Sequence, residues 1–235
     1  MRAWRMVLLL AAVAAMSACA SSSRPVGEVK ASSFFGSAVH KLKKGGPGQP
    51  AWIYMNPKAD WASYDKMLLD PVTFWRDPKS DQEYLSQHDK QMLANYFYAV
   101  IAKAMSKHLT MVSTPGPGVM QVKVAVTKAD PSIVALDVVS TVLPQAIAFS
   151  AIKTALTGKP AFVGEACIAV KVIDSGNGKL LAAYVSDRVG AKDLNKDEFS
   201  SWGDVEQAMR FWAYDAAYHL CKLQKRTDCG QPPKP

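Results

Sequence analysis

The sequence predicts an α+β domain, a mostly antiparallel sheet with two long amphipathic helices packed on one face. Three observations predict it. Met120, Val122, Val124 and Val126 alternate with Gln121, Lys123 and Thr127, the period of a half-buried strand. The β-prone stretches Phe162 to Asp174 and Lys179 to Val189 flank Ser175-Gly-Asn-Gly178, which makes a hairpin. Two further stretches, near residues 86–107 and 201–223, repeat apolar residues at helical spacing. With 235 residues, 49% hydrophobic and 20% charged, the chain can bury a core without obligatory disulfides or metals, and collagenous, coiled-coil and low-complexity architectures are excluded. The layout expected is a leader over 1–18, a tether over 19–50, one domain over 51–227 and a polar tail over 228–235.

At the N-terminus, Arg2 and Arg5 precede an apolar run from Met6 to Met16 that ends at Ser17-Ala18-Cys19-Ala20. The run is shorter than the ~20 apolar residues of a bilayer-spanning helix, so it reads as a secretion signal rather than a permanent anchor. The small residues before Cys19 resemble the lipobox of bacterial lipoproteins, with Met16 where Leu is usual. That resemblance implies acylation of the Cys19 thiol, cleavage on its amino side and acylation of the new terminus, three chains that together hold a protein firmly to a bilayer. In lipoprotein sorting, Ala20 points to the outer membrane, facing the periplasm.

Loss of the leader removes Arg2 and Arg5 and no acid from the formal charge of +8, leaving +6. Nucleic acid is not an available partner for an exported chain, whereas anionic headgroups and acidic wall polymers are. Charge that serves solubility alone is the simpler reading, since the basic residues look scattered along the sequence. Cys19 is taken by lipid. Cys221 and Cys229 flank the end of the last helix closely enough to be bridged, and Cys167 sits in a strand pattern as a small buried hydrophobe.

Residues 20–50 are rich in Ser, Gly and Lys, the composition of a flexible spacer, with Phe34 and Phe35 as a single contact to the body. Residues 51–55 and 66–75 are β-prone, the second stretch broken at Asp70-Pro71. Ser86 with Asp89 caps a helix whose apolar positions include Leu93, Phe97, Val100, Ile101 and Ala104. Pro115-Gly-Pro-Gly118 turns the chain into the alternating strand. In the hairpin, turns at Gly176-Asn177 and at Asn177-Gly178 both place Ala166, Ile168, Val170 and Val172 with Leu181, Ala183, Val185 and Val189 on one face; the first also opposes Glu165 to Arg188. The last helix carries Val205, Ala208, Met209, Trp212, Ala216, Leu220 and Leu223 on a core stripe. Phe211, Tyr214 and Tyr218 form a second aromatic line, to be covered by the chain or by a partner. The stretch Val138 to Leu156 contains Ile147, Phe149 and Ile152 and has no acid. It is read as a packed crossover, with a mobile apolar flap as the alternative.

No catalytic constellation is visible. His40, His88, His108 and His219 are dispersed, and the sequence has no zinc-protease spacing, nucleophile elbow, P-loop or dinucleotide fingerprint. Asp174 and Asp187 are too far apart along the hairpin to share acid–base chemistry. No metal, no cofactor and no enzymatic activity are expected.

Tyr64-Asp65-Lys66, Leu69-Asp70-Pro71-Val72, Gly116-Pro-Gly118, Ala125-Val-Thr127, Leu143-Pro144, Thr157 to Glu165 and Asp174-Ser-Gly-Asn-Gly178, in that order, resemble the Gram-negative lipoproteins grouped as domain of unknown function 3313. The resemblance covers about residues 37–192. It implies a periplasm-facing lipoprotein with a small mixed α/β domain, and it brings no catalytic residue or cofactor. The expectation is a membrane-anchored accessory protein of the envelope that binds another envelope protein or peptidoglycan, with Phe211, Tyr214, Tyr218, Ile147, Phe149 and Ile152 as contact candidates. The alternative is a carrier or sensor of a lipid-like molecule that uses 138–156 as a lid. A hydrolase would require a cleft that gathers one of the histidines with a carboxylate and a hydroxyl.

Overall fold

A computed structural model describes residues 32–75, 85–131, 164–189 and 202–231. The Cys19 anchor, the 138–156 segment with Ile147, Phe149 and Ile152, and the last residues of the tail lie outside them. A short helix α1 (Ser32–Phe35) continues into a 3-10 turn (Gly36–Lys41) and is followed by strands β1 (Lys43–Lys44) and β2 (Trp52–Met55). A second 3-10 turn (Trp61–Ser63) leads to β3 (Lys66–Leu69) and β4 (Thr73–Phe74), which are separated where Asp70-Pro71 interrupts pairing. Helix α2 (Gln87–Met105) and strand β5 (Thr110–Met111) lead to β6 (Val119–Asp130); β7 (Glu165–Asp174), β8 (Leu180–Val189) and α3 (Gly203–Leu223) complete the domain. Ser86 caps α2, its Oγ accepting from the Asp89 N–H at 3.0 Å. The last helix begins after Trp202, with no side-chain cap but with Asp204 and Glu206 in its first turn, where acids favour the positive end of the helix dipole.

The eight strands form one sheet in the order β1-β2-β8-β7-β6-β3-β5, with β4 also on β6. This corrects the expected fold class in two respects. First, the sheet is mixed: β3 and β4 run parallel to β6, and β5 parallel to β3. A parallel neighbour requires a crossover, and α2, lying between β4 and β6 in sequence, supplies it. Secondly, there are three α-helices among the described residues, because the chain before the first strand forms α1. Residues 32–50, read from sequence as spacer, therefore carry α1, the first 3-10 turn and β1 in this structure.

The long helices α2 and α3 bury Leu93, Phe97, Ile101, Val205, Met209 and Trp212 against Met67, Met120, Val122, Val124, Val126, Ile168, Val170 and Leu181 of the sheet. The opposite face is also covered. There Ala125, Ala169, Ala183 and Val185 lie beneath Phe35 and Leu42, with Phe34, Val39, Trp52 and Trp75 packed around them. Alanines on three adjacent strands leave a shallow apolar surface, and the N-terminal aromatic residues fill it.

The hairpin register departs from both expected registers. At the turn Ile173 pairs with Leu180, as the Gly176-Asn177 turn requires, but Val172 pairs with Ala182. Leu181 is thus an extra residue in β8, a bulge that reverses its side-chain parity. Beyond the bulge, Tyr184, Ser186 and Arg188 share the helix-facing side with Val170, Ile168 and Ala166, their Cα partners, and Ala183 and Val185 move to the N-terminal side. Glu165 pairs with Val189 rather than Arg188. Its ion-pair partner is Lys128, at 3.0 Å.

Candidate functional site

At the hairpin-turn end of the sheet, three of the family-like motifs meet. Asp174 precedes the turn, and its Oδ1 accepts from the N–H groups of Gly176 at 2.8 Å and Asn177 at 3.3 Å. Its Oδ2 accepts from the Tyr64 hydroxyl at 2.9 Å and Asn177 Nδ2 at 3.1 Å. Ser175 Oγ accepts from the Gly116 N–H at 3.0 Å, and the Ser175 N–H donates to Val119 O at 3.0 Å. Gly118 O accepts from the N–H groups of Asp65 and Lys66. Gly118 has φ +71°, and a Cβ there would stand 2.8 Å from Asp65 Oδ1, so both conformation and space require glycine. Gln224, beyond α3, donates to the carbonyls of Tyr64 and Trp61 at 2.7 and 3.3 Å.

Burial works against the charged form of Asp174, but the hydrogen bonds from Tyr64, Gly176 and Asn177 outweigh it and hold the carboxyl below its ordinary range. Desolvation and the neighbouring Asp174 push the Tyr64 hydroxyl up to about 12, so it remains a neutral donor. Four donors aimed at one carboxylate leave little lone-pair capacity for substrate chemistry. The arrangement is a clasp that joins the β3 entry, the turn before β6 and the β7–β8 turn.

A second polar group lies at the other end of the sheet. Lys128, placed on the N-terminal side by a bulge at Thr127, bonds Asp130 at 3.1 Å and Glu165 at 3.0 Å. Burial opposes its charge, yet the two carboxylates raise its pKa above the ordinary lysine value. The adjacent Gly164 N–H donates to Asp204 Oδ2 at 2.7 Å in a buried bond that ties β7 to the first turn of α3. Asp70 Oδ1 accepts from Gln121 at 2.7 Å, and its Oδ2 pairs with Lys123 at 2.8 Å. The motif residues thus act on other parts of the same chain.

The aromatic line of α3 is half-buried, and each ring carries a cation from this chain. The Arg188 guanidinium stands 3.7 Å from the Phe211 centroid, Lys107 Nζ 5.5 Å from Tyr214 and Lys222 Nζ 5.6 Å from Tyr218. Desolvation raises the Asp215 carboxyl, against the pull of His219 and Arg188, and pushes the Tyr184 hydroxyl well up. Asp174 and Asp187 occupy opposite ends of the hairpin.

Cys221 and Cys229 are joined as a disulfide, eight residues apart in sequence. Candidate ligand atoms of His108, Cys221 and Asp228 lie within 4.8 Å of one another. The Cys221 sulfur is committed to the disulfide, so the group lacks the thiolate a metal would need. Between α2, α3 and the sheet, a cavity of about 30 Å³ is lined by apolar residues including Phe97, Ile101, Val124 and Trp212, the room of a single water rather than an acyl chain. Among the described residues, no helix is long and apolar enough to cross a membrane.

Sequence reasoning missed the links from Tyr64 to Asp174 and from Gly164 to Asp204, which close over 110 and 40 residues. The one signal available was that Tyr64, Gly164 and Asp174 fall within the family-like motifs; Asp204 falls in none.

The described residues thus form a mixed sheet with two long helices on one face and α1 on the other, clasped at both ends by polar groups of the same chain. The chain belongs to the family described as "Protein of unknown function (DUF3313)", whose model matches residues 30–216. It is 25% identical over 170 residues to "Uncharacterized lipoprotein YdcL" of Escherichia coli strain K12, which spans 72% of this chain and 75% of that one, with the same figures for the O157:H7 protein. Among solved structures, it is similar to the PelC dodecamer subunit from Paraburkholderia phytofirmans, with a TM-score of 0.39 and 8% identity over 75% of this chain and 96% of that one. It is also similar to protein XCC0632 from Xanthomonas campestris, with a TM-score of 0.38 and 12% identity over 73% of this chain and 92% of that one. Scores this low support no statement about this chain.

Proposed function

We propose that this protein is an outer-membrane lipoprotein, held by acyl chains on Cys19 with its domain facing the periplasm, and that it is a non-enzymatic accessory binding another envelope protein or peptidoglycan. The observation that carries the reading is the pairing of a lipoprotein-type leader, Arg2 and Arg5 before an apolar run ending at Ala18-Cys19, with relatives named as lipoproteins. The saturation of Asp174 by four donors supports the non-enzymatic part, because this motif carboxylate is occupied structurally. The half-buried aromatic line of α3, with Lys107 and Arg188 beside it, is the surface offered to a partner.

The test is photo-crosslinking in intact cells from positions beside Tyr214 and Tyr218, followed by membrane fractionation and mass spectrometry. One recurrent envelope protein, or peptidoglycan fragments, is the expected product. A lipid-anchored protein that yields neither, at any position along α3, contradicts the accessory reading.

A further inference from the structure

The basic charge is concentrated rather than scattered. Between Cys19 and Lys58 the chain has Arg24, Lys30, Lys41, Lys43, Lys44 and Lys58 against Glu28 alone, so this stretch supplies +5 of the +6 that remains after the leader is removed. The rest of the chain is close to neutral. Four of these lysines belong to the β1–β2 edge of the sheet or flank it in sequence. Lys43 and Lys44 form β1, paired with Ile53 and Trp52 of β2. Lys41 stands 5.5 Å from the Tyr54 ring, and Lys58 follows Met55 after a short turn held by Asn56. All four lysines are exposed, as is Met55 at the end of β2, at 37%. Asp60, two residues beyond Lys58, offsets one of these four charges; its Oδ1 accepts from the Ala62 N–H. Twelve residues lie between Cys19 and Ser32, so α1 begins at most about 45 Å from the anchor whatever path they take.

We infer that the β1–β2 edge, through Lys41, Lys43, Lys44 and Lys58, is a contact surface for the anionic headgroups of the bilayer that carries the anchor. The inference rests on the lipoprotein reading above. A basic cluster beside a lipid anchor gains from the negative surface potential of anionic lipid, and the gain is lost within a Debye length. The anchor lies close enough in sequence for the cluster to reach that surface. The domain then stands edge-down on that surface. Edge lysines also discourage strand addition, but that role is indifferent to lipid composition, and this difference decides the test.

The lipidated full chain, purified from membranes, is reconstituted in vesicles of phosphatidylcholine alone or with phosphatidylglycerol added. An impermeant amine-acylating reagent is applied, and each lysine is read by peptide mass spectrometry. Labelling of Lys41, Lys43, Lys44 and Lys58 should fall at least about threefold on the anionic vesicles and recover at high salt, with Lys103 and Lys225 unchanged. Lys43→Glu together with Lys44→Glu should abolish the protection of Lys41 and Lys58. Equal labelling on both vesicle types, in protein that floats with them, overturns the inference alone. Equal protection by a soluble polyanion without vesicles assigns the edge to an acidic polymer and also overturns it. A chain that floats with neither vesicle defeats the anchor reading and, with it, this one.

Discussion

Gly164 is a position at which the fold leaves no room for a side chain. A Cβ there would lie 2.8 Å from Asp204 Cβ, 2.9 Å from Asp130 O and 3.1 Å from Asp204 Oδ2. Two of those contacts are to groups that cannot swing away: the backbone of β6 and the root of a buried side chain in α3. Gly164→Ala therefore has to push the first turn of α3 off the sheet. Overpacking of this kind costs about 1–3 kcal/mol, and stretching the buried 2.7 Å bond from the Gly164 N–H to Asp204 forfeits part of a charge-assisted bond worth about 1.5–3 kcal/mol. The two overlap, so the expected loss is about 2–4 kcal/mol, or about 5–15 °C in Tm for a domain of this size. Thermal and urea denaturation followed by circular dichroism measures it. Gly116→Ala is the control: nothing lies within 4 Å of its Cβ and its φ is not positive, so it should be neutral or stabilise slightly. A Gly164→Ala loss below about 0.5 kcal/mol, or one no larger than that of Gly116→Ala, would refute the reasoning.

Three other outcomes follow from the same structure. The depressed pKa of Asp174 means its contribution is fully present above its unfolded pKa and is lost as pH falls through the folded one; stability should decline from about pH 5 toward pH 2, and Asp174→Asn should flatten that decline in urea titrations. Reducing the Cys221–Cys229 bond, or replacing Cys229 by Ser, opens a loop closed over eight residues and should cost about 2–3 kcal/mol by the chain-entropy account; an unchanged denaturation midpoint after thiol counting confirms full reduction would contradict it. Phe35→Ala uncovers the alanine face, where Phe35 is 2% exposed, and should cost about 3–4 kcal/mol and raise binding of a hydrophobic dye; no change in either means α1 does not hold that face.

Much of the architecture was legible because its signals are local. Ser86 with Asp89 announced α2, the alternation from Met120 to Val126 announced β6, and Asp70-Pro71 marked the break between β3 and β4. Strand direction was not legible, since a pattern of apolar residues is the same read up or down the sheet; only the path of α2 makes β3 and β4 parallel to β6. The bulge at Leu181 was hidden for a similar reason. One extra residue leaves the composition of β8 unaltered but reverses which side chains face the helices, so Ala183 and Val185 crossed to the N-terminal side and Arg188 came to rest on Phe211. Strands of two residues, such as Lys43–Lys44 and Thr110–Met111, are too short to show any period. Phe34 and Phe35 were visible as a contact point, but the alanines that receive them lie on three different strands and have no sequence signature of their own. The clasp itself was not legible: the family-like motifs drew attention to Tyr64 and Asp174, and the fold supplied the link.

The account depends most on the chemistry at Cys19. Intact-mass and N-terminal peptide analysis of the protein purified from its native membrane tests it most directly. The account predicts a chain that begins at Cys19, with a diacylglyceryl group on the sulfur and a further acyl chain on the amino group. A chain that retains Met1, begins beyond Cys19 or carries an unmodified thiol there would contradict the anchor, the location and the edge-down orientation together.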